Sequence, residues 1–263
     1  MATILDNKNP SSPSVFRPAA LLREARRQKA LPAVDVPTMC VLDPDGDIVR
    51  RLRKDGRAEP FTGWPCYHTQ LDAFELGGQT AGIVGCAVGA PFAVLIAEEL
   101  FASGCRFLIS VTSAGQIVPA GPTPYFVIID RALRDEGTSY HYLPGSTFAE
   151  APRHVASRSR RAGEPIAARE TSSRFDLDDG CPLSRDGSGV SRARDLGTLA
   201  VEMEAAALYA FGATSGNSIV CFAHVTNSMA QTEGDFEKGE ADGAKATLAV
   251  VVAAAQGLRS YEP

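Results

Sequence analysis

Three things are scarce in this chain, and each scarcity removes a class of function. Metal-binding side chains are few: only 4 His occur in 263 residues, and the 6 Cys are scattered. Cys40, Cys66, Cys86, Cys105, Cys181 and Cys221 form no C-x-x-C pair, and no His lies at a zinc-ligand spacing. The thiols are therefore read as reduced, and no metal is expected. Cys86, Cys105 and Cys221 lie in apolar runs, where cysteine acts as a small hydrophobe rather than a nucleophile. Excess positive charge is also missing: 26 Lys+Arg against 31 Asp+Glu give a net charge of -5. A nucleic-acid binder would present a basic face, so a small-molecule partner is expected instead. Long apolar runs are missing too, since none approaches the roughly 20 residues that span a bilayer. The polar start "MATILDNKNPSSPS" lacks the basic and apolar regions of a signal peptide. These absences point to a soluble protein of the cytoplasm with no membrane partner.

What is present suits one large core, because 44% of the residues are hydrophobic. Residues 1–36 read as a loose tail followed by the amphipathic helix "AALLREARRQKAL", and residues 37–263 as one domain. In that domain "TMCVL" reads as a strand, followed by an acidic turn from Asp43 to Asp47 and then a further strand or the start of a helix. "CYHTQLDAFEL" is strand-like. Ala81 to Cys86 is a buried strand, Pro91 to Ser103 a helix opened by its proline and closed by Gly104, and Phe107 to Val111 a second buried strand. Such alternation marks a β-α-β unit of an α/β domain. Ligands of open α/β sheets bind at the turns that leave the strands' C-terminal ends. The turn "TSAGQ" offers Thr112, Ser113 and Gly115 with free amides and hydroxyls, which suits phosphate or another anion. The same small residues also serve close packing.

The segment "GTLAVEMEAAALYAFGATSG" puts Glu202, Met203 and Glu204 at a strand-to-helix junction between apolar runs. Two carboxylates there are costly to bury without partners. Either backbone amides or an arginine satisfy them, or one accepts hydrogen bonds from the vicinal hydroxyls of a sugar.

"AVEMEAAALYAF" resembles the signature of the nucleoside phosphorylase superfamily, which contains uridine phosphorylase, the hexameric purine nucleoside phosphorylases and methylthioadenosine nucleosidase. "GIVGCAVGAPFAVLIAEELFASGC", "SVTSAGQI", "RDEGTSYHYLP" and "IVCFAHVTNSMA" extend the likeness. The resemblance implies a single-domain, three-layer α/β fold with a mixed, twisted central sheet flanked by helices. It implies a pentosyltransferase that cleaves the N-glycosidic bond of a nucleoside, with phosphate as co-substrate, no cofactor and a homo-oligomeric assembly. By the same likeness Glu204 binds the ribose hydroxyls, Met203 packs against the sugar with Glu202 beside it, and Thr112, Ser113 and Gly115 meet phosphate. His68 and His141 are pocket candidates, and no catalytic role transfers to His224. Asp235, Glu237 and Glu240 are read as a solvated loop ahead of the last helix.

Two departures shape the expected chemistry. Phosphorylases of the family place an arginine three residues before the serine or threonine of the turn, whereas this chain has Ser110, and "VLDPDGDIV" is acidic where an early glycine-rich loop is expected. Loss of a bidentate arginine removes a strong phosphate contact, which moves weight towards impaired phosphorolysis, hydrolysis, or nucleoside binding without turnover. Asn227 stands where purine-cleaving members carry an aspartate. An amide is no general acid, so a uridine-like substrate is preferred, with Asn227 the second catalytic candidate after Glu204.

Residues 152–195 stand apart. "FDLDDGCPLSRDGSGV" shows no periodicity, and the arginine-rich stretch around it has too few large apolar residues to order itself. Reading permitted codons for Asp176 to Ser188 one nucleotide later gives Thr-Trp-Thr-Thr-Asp-Ala-Pro-Tyr-Arg-Glu-Thr-Ala. That peptide resembles what family members carry just before the E-M-E signature. Two compensating frame changes, after about Ala151 and before Ala193, would account for it and would remove the wall that contacts the base; an authentic linker or regulatory loop is the alternative.

Overall fold

The computed structural model describes residues 6, 8–152, 174–178, 187–229 and 233–259. The tail leads into α1 (Pro18–Lys29), whose Leu22 and Ala25 are buried against α3 (Ala90–Ala102). The first half of the sheet consists of β1 (Met39–Asp43), β2 (Ala58–Pro60), β3 (Asp72–Glu75) and β4 (Thr80–Gly85). The acidic turn after β1 opens a helix, α2 (Asp47–Lys54), with Ile48, Val49 and Leu52 inward at helical spacing. Pro91 stands in the first turn of α3, and Gly104 follows the end of the helix, as the sequence indicates.

β5 (Phe107–Gln116) runs through the expected strand and on through the "TSAGQ" turn, which is therefore the C-terminal half of a long strand. β6 (Tyr125–Arg134), β7 (Phe148–Glu150), β8 (Arg174–Asp178), β9 (Thr198–Glu202) and β10 (Ser218–Asn227) complete the sheet. The helices of this half are α4 (Gly187–Asp195), α5 (Ala205–Ser215) and α6 (Ala244–Arg259). Strand order is β10-β6-β8-β9-β5-β1-β4-β3-β2, and β10 also pairs with β5. Five strands thus close into a ring, from which β1, β4, β3 and β2 extend as an open, mixed sheet. Closure brings β5 beside β10 in parallel, with His224 opposite Ser113 and Asn227 opposite Gly115 across a bulge after Val225.

Within residues 152–195 the described parts are regular. β8 pairs in parallel with both β6 and β9, and α4 leads into β9. A strand flanked on both sides gains its ladder from backbone groups, which no side-chain pattern reveals. Residues 153–173 and 179–186, on which the frame-change reading chiefly rests, lie outside the described residues. One further expectation is corrected: Cys86 is exposed at φ 61, at the turn that leaves β4, and is no core hydrophobe. Cys40, Cys66, Cys105 and Cys221 are buried free thiols, and Cys181 lies outside the described residues. Among the described residues no helix is long and apolar enough to cross a membrane, and no group of His, Cys, Asp and Glu could hold a metal ion.

Helix α5 is apolar all round and sits in the core between α3 and the β6–β10 side of the ring. Its Tyr209 is fully buried and ties two strands together, donating to the Ile129 carbonyl at 2.6 Å and accepting from the Cys221 amide at 3.0 Å. Tyr209→Phe keeps the ring and removes both bonds. We expect it to cost about 1–3 kcal/mol, read as a lower urea midpoint with an unchanged slope.

Candidate active site

The β9–α5 junction holds the two glutamates in different ways. Glu202 ends β9, and its Oε2 accepts the Glu204 and Ala205 amides at 2.7 and 2.8 Å, satisfying the first donors of α5. A helix start offers unpaired amides and partial positive charge, so a buried carboxylate is stable there. Glu202, expected beside the sugar, is thus a cap for the helix that carries Glu204.

Glu204 occupies the N-cap position but makes no cap bond with its side chain. The carboxylate reaches across to α3, where Oε1 accepts the Gly89 amide at 2.6 Å. Gly89 has φ 95, a conformation glycine adopts without strain, and this conformation presents its amide ahead of the helix. Glu204 is 1% exposed, and its Oε2 has no hydrogen-bond partner among the described residues. Burial pushes its pKa up to about 6, while the Gly89 amide and the Thr112 side chain pull it back. Met203 is half-buried beside Gly89, with Cε 3.9 Å from where a Cβ on that glycine would stand. Glu204, Met203 and Thr112 are therefore brought together at the start of α3.

Asp45, from the acidic turn after β1, reaches the Ser113 end of the turn: its Oδ2 accepts the Ser113 amide at 2.8 Å. The turn itself is organised by Asp43, which accepts the Gly46 amide at 3.2 Å and the Val49 amide at 2.9 Å. Burial raises Asp43 to about 7. Two cations reach this loop, and Asp47 holds both, Arg50 at 2.5 Å and Lys238 at 2.6 Å; Lys238 also stands 3.9 Å from Asp45. His224 lies behind the turn, stacked on Phe126 with ring centroids 4.3 Å apart. Burial, then the charge of Lys238, lowers its pKa to about 4, so the ring is neutral near pH 7.

Gly115 and Asn227 form the far side. A Cβ on Gly115 would stand 2.9 Å from Asn227 Oδ1, so this glycine is fixed by the close approach of β10. The Asn227 amide is engaged locally: Oδ1 accepts the Met229 amide at 2.8 Å, and Nδ2 donates to the Thr226 hydroxyl at 3.0 Å. It shapes the strand end beside the turn.

Of the two histidines named as pocket candidates, only His141 lines a cavity among those found in the described residues. His68 is exposed in the loop before β3 and acts on Glu99, ten residues beyond Gly89 and so about 15 Å along α3 at the helical rise. His141 lines a cavity of about 580 Å³ at the start of α3, with Ala90, Pro91, Glu98, Glu136 and Tyr142. Its ring nitrogens lie 3.0 and 2.7 Å from Lys8 Nζ. In the loop before α6, Glu237 and Glu240 are exposed as expected, but Asp235 accepts the Ser228 amide at 2.8 Å and Lys238 enters the site. Asp45, Gly89 and Lys238 escape sequence reasoning because each acts through a partner distant in the chain.

The model of the phosphorylase superfamily matches residues 38–256. None of the curated proteins matches the chain. Among solved structures, purine nucleoside phosphorylase from Toxoplasma gondii, in complex with immucillin-H, superposes with a TM-score of 0.73 at 16% identity, over 86% of this chain and 93% of that one. Uridine phosphorylase from Vibrio fischeri superposes with a TM-score of 0.69 at 19% identity, over 86% and 92%. Both likenesses concern the fold, a mixed α/β sheet flanked by helices. With a family model that spans most of its length, the chain belongs to the phosphorylase superfamily.

Proposed function

We propose that this protein is a pentosyltransferase that cleaves the N-glycosidic bond of a nucleoside, its ribose held by Glu204. The observation that carries this reading is the buried carboxylate with one oxygen on the Gly89 amide and the other unpartnered. Ionised, it accepts hydrogen bonds from vicinal ribose hydroxyls. Those bonds strengthen as the sugar gains positive charge in an oxocarbenium-like transition state. Met203 packs against the sugar, and Thr112 and Ser113 stand beside the carboxylate on the acceptor side. Both structural relatives are named as nucleoside phosphorylases, one for purine nucleosides and one for uridine, which supports the reaction class.

The family likeness supports phosphate as the acceptor, and the Asp45 contact with Ser113 favours a second reading with water. For the base, Asn227 supports a uridine-like substrate, since it supplies no proton to a purine. The site takes small molecules, and homo-oligomeric assembly in the cytoplasm belongs to the same proposal.

Keeping Glu204 ionised is costly. Below its ordinary 4.5 the group is protonated in folded and unfolded chains alike and no penalty applies. As pH rises from 4.5 towards about 6 the unfolded chain ionises while the folded one stays protonated, so the native state loses about 2 kcal/mol, and the loss levels off above about 6.

Incubation with uridine, inosine and adenosine, with free base read by chromatography, is expected to give fastest release from uridine; absence of base from all three sinks the proposal. Because the ionised carboxylate is the acceptor, kcat/KM should rise as pH increases through about 6 and level off above it. Glu204→Gln is expected to flatten that limb and lower kcat/KM by on the order of 100-fold, the loss of two charge-assisted bonds. It should leave urea stability at pH 8 undiminished.

A further inference from the structure

The seat that the resemblance reserves for phosphate is already filled by the chain itself. Ser113 presents its amide from β5, and the atom on it is Asp45 Oδ2, at 2.8 Å. That carboxylate is held from several sides. Its residue's carbonyl accepts from Arg50 Nη2 at 2.9 Å, and the turn behind it is pinned by Gly46 on Asp43. The Cys86 amide closes the same turn by donating to the Asp43 carbonyl at 3.0 Å. An incoming phosphate dianion would meet the carboxylates of Asp45 and Asp47. Among the described residues, the two cations beside these carboxylates, Arg50 and Lys238, are both on Asp47, and Lys238 also stands 3.9 Å from Asp45. Ser110, on the same strand, is buried and adds no charge.

We propose that Asp45 selects the acceptor of this site: its carboxylate takes the seat on the Ser113 amide, keeps inorganic phosphate out and leaves water to receive the pentose. The hydrolytic step rests on the nucleoside reading above; the exclusion of phosphate does not. In that step a bond forms between the water oxygen and ribose C1′, and the C1′–N bond breaks with its electron pair leaving on the base. The water's proton passes to Asp45, the carboxylate at the seat, and the departing base takes a proton from solvent. The Asp45 carboxylate both occupies the Ser113 amide and brings negative charge to it, so selection comes from occupancy and charge together.

The test uses Asp45→Ala, which empties the seat, and Asp45→Asn, which keeps its shape without the charge. Inorganic phosphate is titrated calorimetrically into each protein at constant ionic strength, with chloride as the control anion. The wild-type chain should show no phosphate binding, and Asp45→Ala should bind it at least about tenfold more tightly, a gain of about 1.4 kcal/mol. Asp45→Asn, the reserve should the alanine variant fail to fold, should also gain affinity. Base release by the wild-type chain should be the same with and without phosphate and yield free ribose, whereas Asp45→Ala should form ribose-1-phosphate. Phosphate binding by the wild-type chain as tight as by the variants overturns the proposal, and so does its absence from every protein. Failure of all proteins to release base would instead count against the nucleoside reading, because the phosphate titration needs no nucleoside.

Discussion

The carboxylate of Glu204, buried between two helix starts, is the constraint on which the rest of the site depends. A charged group so enclosed is tolerable only where dipoles are already aimed at it, and here the Gly89 amide supplies one of them. The requirement propagates outward. Gly89 must take a conformation that opens α3 towards α5, and Glu202 must cap α5 so that its own amides are satisfied without Glu204. Helix α5 must be apolar all round from Ala205 to Gly212 because it is buried there on every side. One oxygen of Glu204 has no hydrogen-bond partner among the described residues, and on that oxygen rests the proposal that the carboxylate receives a ligand.

Ring closure in the sheet supplies the rest. By pairing β10 with β5, the fold sets Asn227 against Gly115 and His224 beside Ser113, residues more than a hundred positions apart. The open part of the sheet then runs β1 alongside β5, so the turn after β1 can place Asp45 on the Ser113 amide. Charge at this end leans negative among the described residues: Asp45, Asp47 and Glu204 face Arg50 and Lys238, both held by Asp47, and His224 stays neutral under burial. A site with such an excess of carboxylates admits a polar, uncharged ligand more readily than a dianion.

Much of this arrangement was legible in the sequence because it depends on local patterns. The α3 helix announced itself through Pro91 and Gly104, and the E-M-E junction through carboxylates in an apolar run. The division of labour between Glu202 and Glu204 was not legible, since both carboxylates suit a helix start and only the position of Gly89 separates them. The acidity of the turn after β1 was evident, but its meaning lay in an amide 68 residues away. β8 was invisible for a related reason: a strand paired on both sides is held by its neighbours' backbones and needs no alternation of its own. His68, offered in place of a missing phosphate-binding arginine, acts on Glu99, about 15 Å along α3 from Gly89 at the helical rise.

The central claim is that Glu204 holds the ribose through its vicinal hydroxyls. It is tested most directly by titrating the protein calorimetrically with uridine and with 2′,3′-dideoxyuridine at pH 8, where the carboxylate is ionised. The account predicts that uridine binds at least about tenfold more tightly, since each bond to a charged acceptor contributes about 1.5–3 kcal/mol. Equal affinity for the two ligands would contradict it.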